Sequence, residues 1–128
     1  MKKTVFTSQA PEPIGPYSQA IVSGDLVFVS GQIPVDLETG RLELENVELA
    51  TRLVLTHIKN ILEKAGSGME NVVKASVFLK SMDDFPVVNQ VYGEFFKGTE
   101  PPARETVEVS RLPKDVPVEI SVIAFLKK

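Results

Sequence analysis

Two stretches of this chain carry helical periodicity, residues 47–65 and 85–97, and the remaining ordered-looking segments are short, β-branched runs. In the first stretch Ala50, Leu53, Val54, Ile58, Ile61, Leu62 and Ala65 recur at helical spacing and make one apolar face. Asn46 stands where an N-cap is needed, Glu48 lies in the first turn and Gly66 follows the end. The second stretch starts behind Asp83 or Asp84 as cap, has Pro86 in its first turn and stops at Gly98. Its apolar face is Phe85, Val88, Tyr92, Phe95 and Phe96. With only two helices, a sheet made by the rest of the chain can be covered on one face.

The strand-like runs are Thr4–Phe6, Ala20–Ser23, Leu26–Ser30, Val72–Leu79, Glu105–Ser110 and Val118–Leu126, with Gly24-Asp25 as a tight turn between the second and third. The order β-β-β-α-β-α-β-β predicts an α+β domain, residues 1–128, with a mixed six-stranded sheet and two helices on one face. Residues 72–110 form a β-α-β crossover, expected to be right-handed. Yet Val72, Val73, Val77, Phe78, Val118, Ile120, Val122, Ile123 and Phe125 place apolar groups on both faces of the strands. The uncovered face requires a partner, and the reading is a homo-oligomer whose sheets pack face to face.

Composition removes several chemistries. The net charge is −3, which opposes a basic groove for nucleic acid. There is no cysteine, so thiolate catalysis and thiolate metal sites are excluded, and the single histidine, His57, disfavours a histidine-based metal site or a Ser-His-Asp triad. His57 sits at the edge of the first helix's apolar stripe and reads as a packing residue. No Gly-rich phosphate loop or metal-ligand spacing occurs, and neither cofactor nor metal is expected. No run approaches the ~20 apolar residues of a membrane span, and Met1–Ala10 lacks the apolar core of a signal peptide. A soluble, cytoplasmic protein is the expectation.

The segment 101–124, PPARETVEVSRLPKDVPVEISVIA, concentrates the chemistry. Two prolines stiffen the approach to Arg104, whose planar fork suits a carboxylate, although a surface salt bridge is an equal reading of the same residue. In the strand that follows, Arg104, Thr106, Glu108 and Ser110 share one face. Glu119 lies inside an apolar run. It reads either as an edge charge facing solvent or as a poised acid or base. Tyr17 occupies the Gly-Pro corner IGPYSQA, and Gly31 after Ser30 permits close backbone approach at a strand end. Asn89 and Phe85 share a helix that starts beside a strand end, and either can line a pocket.

IGPYSQA, VSGQIP and the long C-terminal pattern together resemble the RidA (YjgF) family of reactive-intermediate enamine/imine deaminases, over essentially the full length. That resemblance implies a chorismate-mutase-like fold, a homotrimer, and ligand clefts between subunits. It implies that Arg104 clamps the substrate carboxylate and that Glu119 positions or activates water. Tyr17, Ser30, Gly31, Asn89 and Thr106 would line the pocket. Thr106 stands where many relatives carry cysteine, so thiol-dependent chemistry is absent here. The implied reaction is hydrolysis of 2-aminoacrylate or 2-aminocrotonate, through their imine tautomers, to 2-oxo acids and ammonia. The competing readings are a regulatory trimer that binds 2-oxo acids without turnover, and a single-strand RNA endonuclease or translation inhibitor.

One geometric expectation is independent of the resemblance. If the last two strands form a hairpin near Lys114, Glu119 pairs near Val109, ~17 Å along the strand from Arg104. Either those strands are not a simple pair, or Arg104 and Glu119 meet across a subunit boundary. The second is the preferred expectation.

Overall fold

The computed structural model describes residues 1–127. Its elements are β1 (Lys2–Val5), β2 (Ala20–Ser23), β3 (Leu26–Gln32), α1 (Val47–Ala65), β4 (Val72–Leu79), α2 (Phe85–Phe95), β5 (Ala103–Glu108) and β6 (Val118–Phe125). The strands form one six-stranded mixed sheet in the order β1-β2-β3-β6-β4-β5. Only β4 and β5 run parallel, joined by the α2 crossover; the other neighbours are antiparallel.

Helix α1 forms as its sequence dictates. Asn46 Oδ1 accepts a hydrogen bond from the Leu49 amide at 3.0 Å. Gly66 closes the helix in the left-handed region at φ 89°, which a β-carbon would strain. Ala50, Val54, Leu55, Ile58, Ile61 and Leu62 are fully buried against β3 and β6. Each large aliphatic side chain so buried contributes about 1.5–3 kcal/mol. Leu55 belongs to this face, whereas Leu53 is only half-buried. Helix α2 packs on α1, and its Val88, Val91 and Tyr92 are buried, as is Phe96 just past its end. His57 is a core residue: its Nε2–H donates to the Val35 carbonyl at 2.7 Å.

On β6 the side chains alternate. Val118, Ile120, Val122 and Ala124 are buried under the helices, while Glu119, Ser121, Ile123 and Phe125 point to the other face. There Phe28 pairs with Ile123 and Leu26 with Phe125, and Leu26, Phe28, Val107 and Phe125 remain about 40% exposed. The helices cover one face of the sheet, and the second carries an open apolar surface. No helix of the described residues is long and apolar enough to cross a membrane.

The hairpin alternative for the last two strands is corrected by the sheet order. β5 pairs only with β4, and β6 pairs with the opposite edge of β4 and with β3. The crossover lays β5 parallel to one edge of β4, so the following chain must pass around the strand end to reach the other. Strand limits shift for the same reason, because pairing sets them. Register with β2 places β1 at residues 2–5, and register with β4 ends β5 at Glu108. Helix α2 ends at Phe95, before Lys97, ahead of left-handed Gly98 at φ 82°. Neither Asp83 nor Asp84 caps it through a side chain. A 3-10 turn at Met82–Asp84 feeds directly into the helix, and Ser81 Oγ accepts from the Asp83 amide instead.

Candidate active site

Arg104 enters the sheet at its edge. Its β4 partner is Ala75, which is fully buried beneath the helices, so Arg104 and Thr106 both face the helical layer. Helix α2 presents Phe85, Asn89 and Tyr92 to the same place, a spacing that aligns one helical face. Arg104 Nη1 donates to Asn89 Oδ1 at 2.8 Å. Its Cζ lies 4.7 Å from the Tyr92 ring centroid and 5.6 Å from that of Phe85. Ring faces attract a guanidinium by about 0.5–1 kcal/mol at exposed sites. One hydrogen bond and two rings thus fix the plane of a group that has five N–H donors, and the remaining donors stay open.

That open side borders a groove of about 520 Å³ between α2 and the segment Pro101–Arg104. Burial pushes the Tyr92 phenol up, and the Arg104 charge pulls it partly back. The hydroxyls of Tyr92 and Thr106 are buried without a hydrogen-bond partner among the described residues. An unpaired buried hydroxyl costs about 1–3 kcal/mol. Both lie in the layer that holds the arginine.

Glu119 belongs to a second group. It pairs with Phe78 of β4 on the face away from the helices and is half-buried. Burial pushes its carboxyl above the ordinary value. Between Val29 and Gln32, β3 carries one more residue than β6 opposite it, a bulge that brings Gly31 against Glu119. A β-carbon on Gly31 would stand 2.9 Å from the Glu119 carboxyl carbon, so glycine is what lets the acid lie there. Ser30 anchors the N-terminal arm to this bulge: its Oγ donates to the Ser18 carbonyl at 2.5 Å and its amide to Gln19 at 2.9 Å. Tyr17 stands about half exposed on that arm, and it lines with Gly31 a cavity of about 360 Å³.

The seven sequence-derived candidates therefore fall into two clusters. Arg104, Asn89 and Thr106 gather under α2; Glu119, Gly31, Ser30 and Tyr17 gather around the β3 bulge. Within one chain the clusters do not meet. β4 lies between Arg104 and Glu119, their partners Ala75 and Phe78 are three residues apart, and the two side chains leave opposite faces. Two strand spacings and three residues put their backbones roughly 14 Å apart. Two contributors escaped the sequence reading of the site. Tyr92 is the principal platform under Arg104, and the 85/89/92 spacing was the signal for it. Gln19 is 99% buried and spends its amide on Thr7 and Pro11, stapling the arm; nothing local announces that role.

Comparison with known proteins agrees with this architecture. The sequence pattern of the endoribonuclease L-PSP family matches residues 7–126. A RutC family protein of Pyrococcus horikoshii is 53% identical over 125 residues, covering 98% of each chain. A protein of Salmonella typhimurium named 2-iminobutanoate/2-iminopropanoate deaminase is 47% identical over 126 residues, covering 97% of this chain and 98% of its own. The crystal structure of a Rid-family protein from Yersinia pestis superposes with a TM-score of 0.96 at 44% identity, over 98% of this chain and all of that one. By its sequence pattern, its relatives and its sheet order, the chain belongs to the endoribonuclease L-PSP family, that of the RidA and YjgF proteins.

Proposed function

We propose that this protein hydrolyses small 2-imino acids, and the enamines that tautomerise to them, to 2-oxo acids and ammonia. The observation that carries the reading is the Arg104 guanidinium. It is pinned by Asn89 and by the rings of Tyr92 and Phe85, with donors left over for a carboxylate. The relative named as an imine deaminase supports the same chemistry.

The site forms between copies of the chain in a homotrimer, with Arg104 from one and Glu119 from its neighbour. Support comes from the opposite faces on which the two residues stand and from the apolar sheet face left open beside Glu119. Arg104 and Asn89 fix the carboxylate, and Tyr17, Ser30, Gly31 and Thr106 shape the surrounding wall. Water oxygen adds to the carbon of the protonated imine (C=NH2+), the π pair moving to nitrogen, as the Glu119 carboxylate takes a proton from the water. The same carboxyl returns that proton to nitrogen, the C–N bond breaks with its electron pair going to nitrogen, and ammonia leaves. Loss of the hydroxyl proton completes the 2-oxo acid. Burial raises this carboxyl above the ordinary carboxylate value, which favours its holding the proton it passes to nitrogen. RNA cleavage, which the family description names, is opposed by the net charge of −3.

The test couples the protein to a threonine dehydratase and follows free 2-oxobutanoate. Wild-type protein accelerates its release and Arg104→Ala does not. Equal rates with and without the protein refute the reading.

A further inference from the structure

Helix α2 meets strand β5 through two side-chain hydrogen bonds. Arg104 reaches Asn89 at one end, and at the other Glu108 Oε1 accepts from the Met82 amide at 2.8 Å. Glu108 and Arg104 share one face of β5, ~13 Å apart along the strand. Met82 to Asn89 covers ~12 Å, one 3-10 turn followed by one helical turn. The two spans match, so the helix is clamped antiparallel to the strand at both ends of one stretch.

Little else fixes that placement. β5 is an edge strand, and five of its six residues are exposed, so apolar packing contributes little to its seat under α2. The start of α2 has no cap of its own, and Ser81 serves the amides of Asp83 and Asp84. The Met82 amide is left to Glu108. No lysine or arginine among the described residues pairs with that carboxylate. A carboxylate on the amides at a helix start makes a hydrogen bond of the stronger, charge-assisted kind. Its anchor is rigid. Glu108 lies opposite Leu79, which is fully buried, and the Val109 amide donates to the Leu79 carbonyl at 3.0 Å.

We propose that Glu108 is a positioning residue for Arg104: by holding the Met82 amide it sets how α2 lies along β5, and so where the Phe85 ring and the Asn89 amide meet the guanidinium. The inference rests on the deaminase reading, in which Arg104 fixes the substrate carboxylate. Every contact it uses lies within one chain. The Phe85 amide donates to the Met82 carbonyl, so release of Met82 reaches Phe85 first and Asn89 one turn later. The guanidinium then loses two of the surfaces that fix its plane. A purely electrostatic role for Glu108 has the opposite sign. It is an anion on the strand face that receives the substrate's carboxylate, and loss of its charge alone would tighten binding.

The experiment measures KM and kcat for the imine of 2-aminobutyrate, formed in place by an amino-acid oxidase. Glu108→Ala raises KM about three- to tenfold and leaves kcat within about twofold of wild type. Glu108→Gln keeps an acceptor for the Met82 amide and returns KM to within about twofold of wild type. In a chain already carrying Phe85→Leu and Asn89→Ala, Glu108→Ala shifts KM by less than about twofold, because the contacts it places are gone. Glu108 is an exposed residue, so its variants fold. An unchanged or lowered KM in Glu108→Ala, a Glu108→Gln variant as impaired as the alanine one, or an undiminished effect in the doubly substituted chain overturns the role of Glu108 while the deaminase reading stands. No turnover of the imine by wild-type protein overturns both.

Discussion

Asn89 holds Arg104 by a single hydrogen bond of 2.8 Å between its Oδ1 and the guanidinium Nη1. The contact joins the second helix to the sheet edge and, because an amide is neutral and no carboxylate among the described residues pairs with Arg104, leaves the arginine's charge uncompensated there. That separates positioning from neutralisation and makes the two separable by mutation. Asn89→Ala should raise KM for the imine by about tenfold with kcat little changed, the loss expected for one hydrogen bond to a charged group. Asn89→Asp should raise KM further, since a carboxylate at that distance competes with the substrate's own for the guanidinium. Steady-state kinetics on both variants decides the order.

Gly31→Ala isolates the other half of the site. The backbone there lies outside the left-handed region, so alanine is tolerated in itself, but its methyl would displace the Glu119 carboxyl. The flexible acid can swing away. The melting temperature should therefore stay within a few degrees of wild type, a change of about 1 kcal/mol or less, while kcat falls at least about tenfold. Calorimetry and kinetics on one preparation check both.

The elevated Glu119 carboxyl predicts a pH-dependent stability difference. Its folded pKa lies above the ordinary 4.5 because burial disfavours the charge. The folded state therefore holds a proton that the unfolded state releases as pH rises from 4.5 through the folded pKa, and stability falls across that window. Glu119→Gln should melt higher than wild type at pH 7.5, and the advantage should vanish below pH 4.5. Melting curves across this range read it directly, and a constant offset would contradict it.

His57 acts in the opposite direction. Burial lowers its pKa from 6.5, and its Nδ1 has no partner to receive a second proton's bond among the described residues. The unfolded chain takes up a proton below 6.5 that the folded chain refuses, so stability is lost as pH falls from 6.5 to the folded pKa. His57→Gln should be less stable than wild type at pH 8 and should lose less between pH 6.5 and 5. Chemical denaturation at three pH values measures both slopes.

The fold was legible where a local signal matched its tertiary use. Asn46 and Gly66 bracketed α1 because capping and left-handed closure are local requirements. The α+β order and the one-sided helical cover followed from counting two amphipathic stretches against six strands. The path of β6 was not legible. Whether a strand returns beside its predecessor or around β4 is decided by which edge is vacant, and no residue in the connecting Leu112–Asp115 turn encodes that choice.

The site was legible residue by residue but not as an arrangement. Arg104 and Glu119 stand out because each is costly in its setting, and Asn89 because its helix starts beside a strand end. Their separation onto opposite faces depends on register across β4, where one residue's slip would have reversed the outcome. Tyr92 looked like ordinary core because a ring that packs and a ring that carries a cation share one pattern. The left-handed backbone of Lys114, at φ 54°, was equally silent in the sequence, since lysine usually avoids that region, whereas Asp115, at φ 59°, is of a type enriched there.

A mixing experiment tests most directly the claim that Arg104 and Glu119 serve one substrate from two chains. Arg104→Ala and Glu119→Gln proteins are each inactive by this account. Unfolded together in equal amounts and refolded, they form interfaces at random, and about one in four pairs an intact Arg104 with an intact Glu119. Imine hydrolysis should return to about a quarter of the wild-type rate. A mixture as inactive as its parents, with mixed oligomers shown by native mass spectrometry, would contradict the shared site.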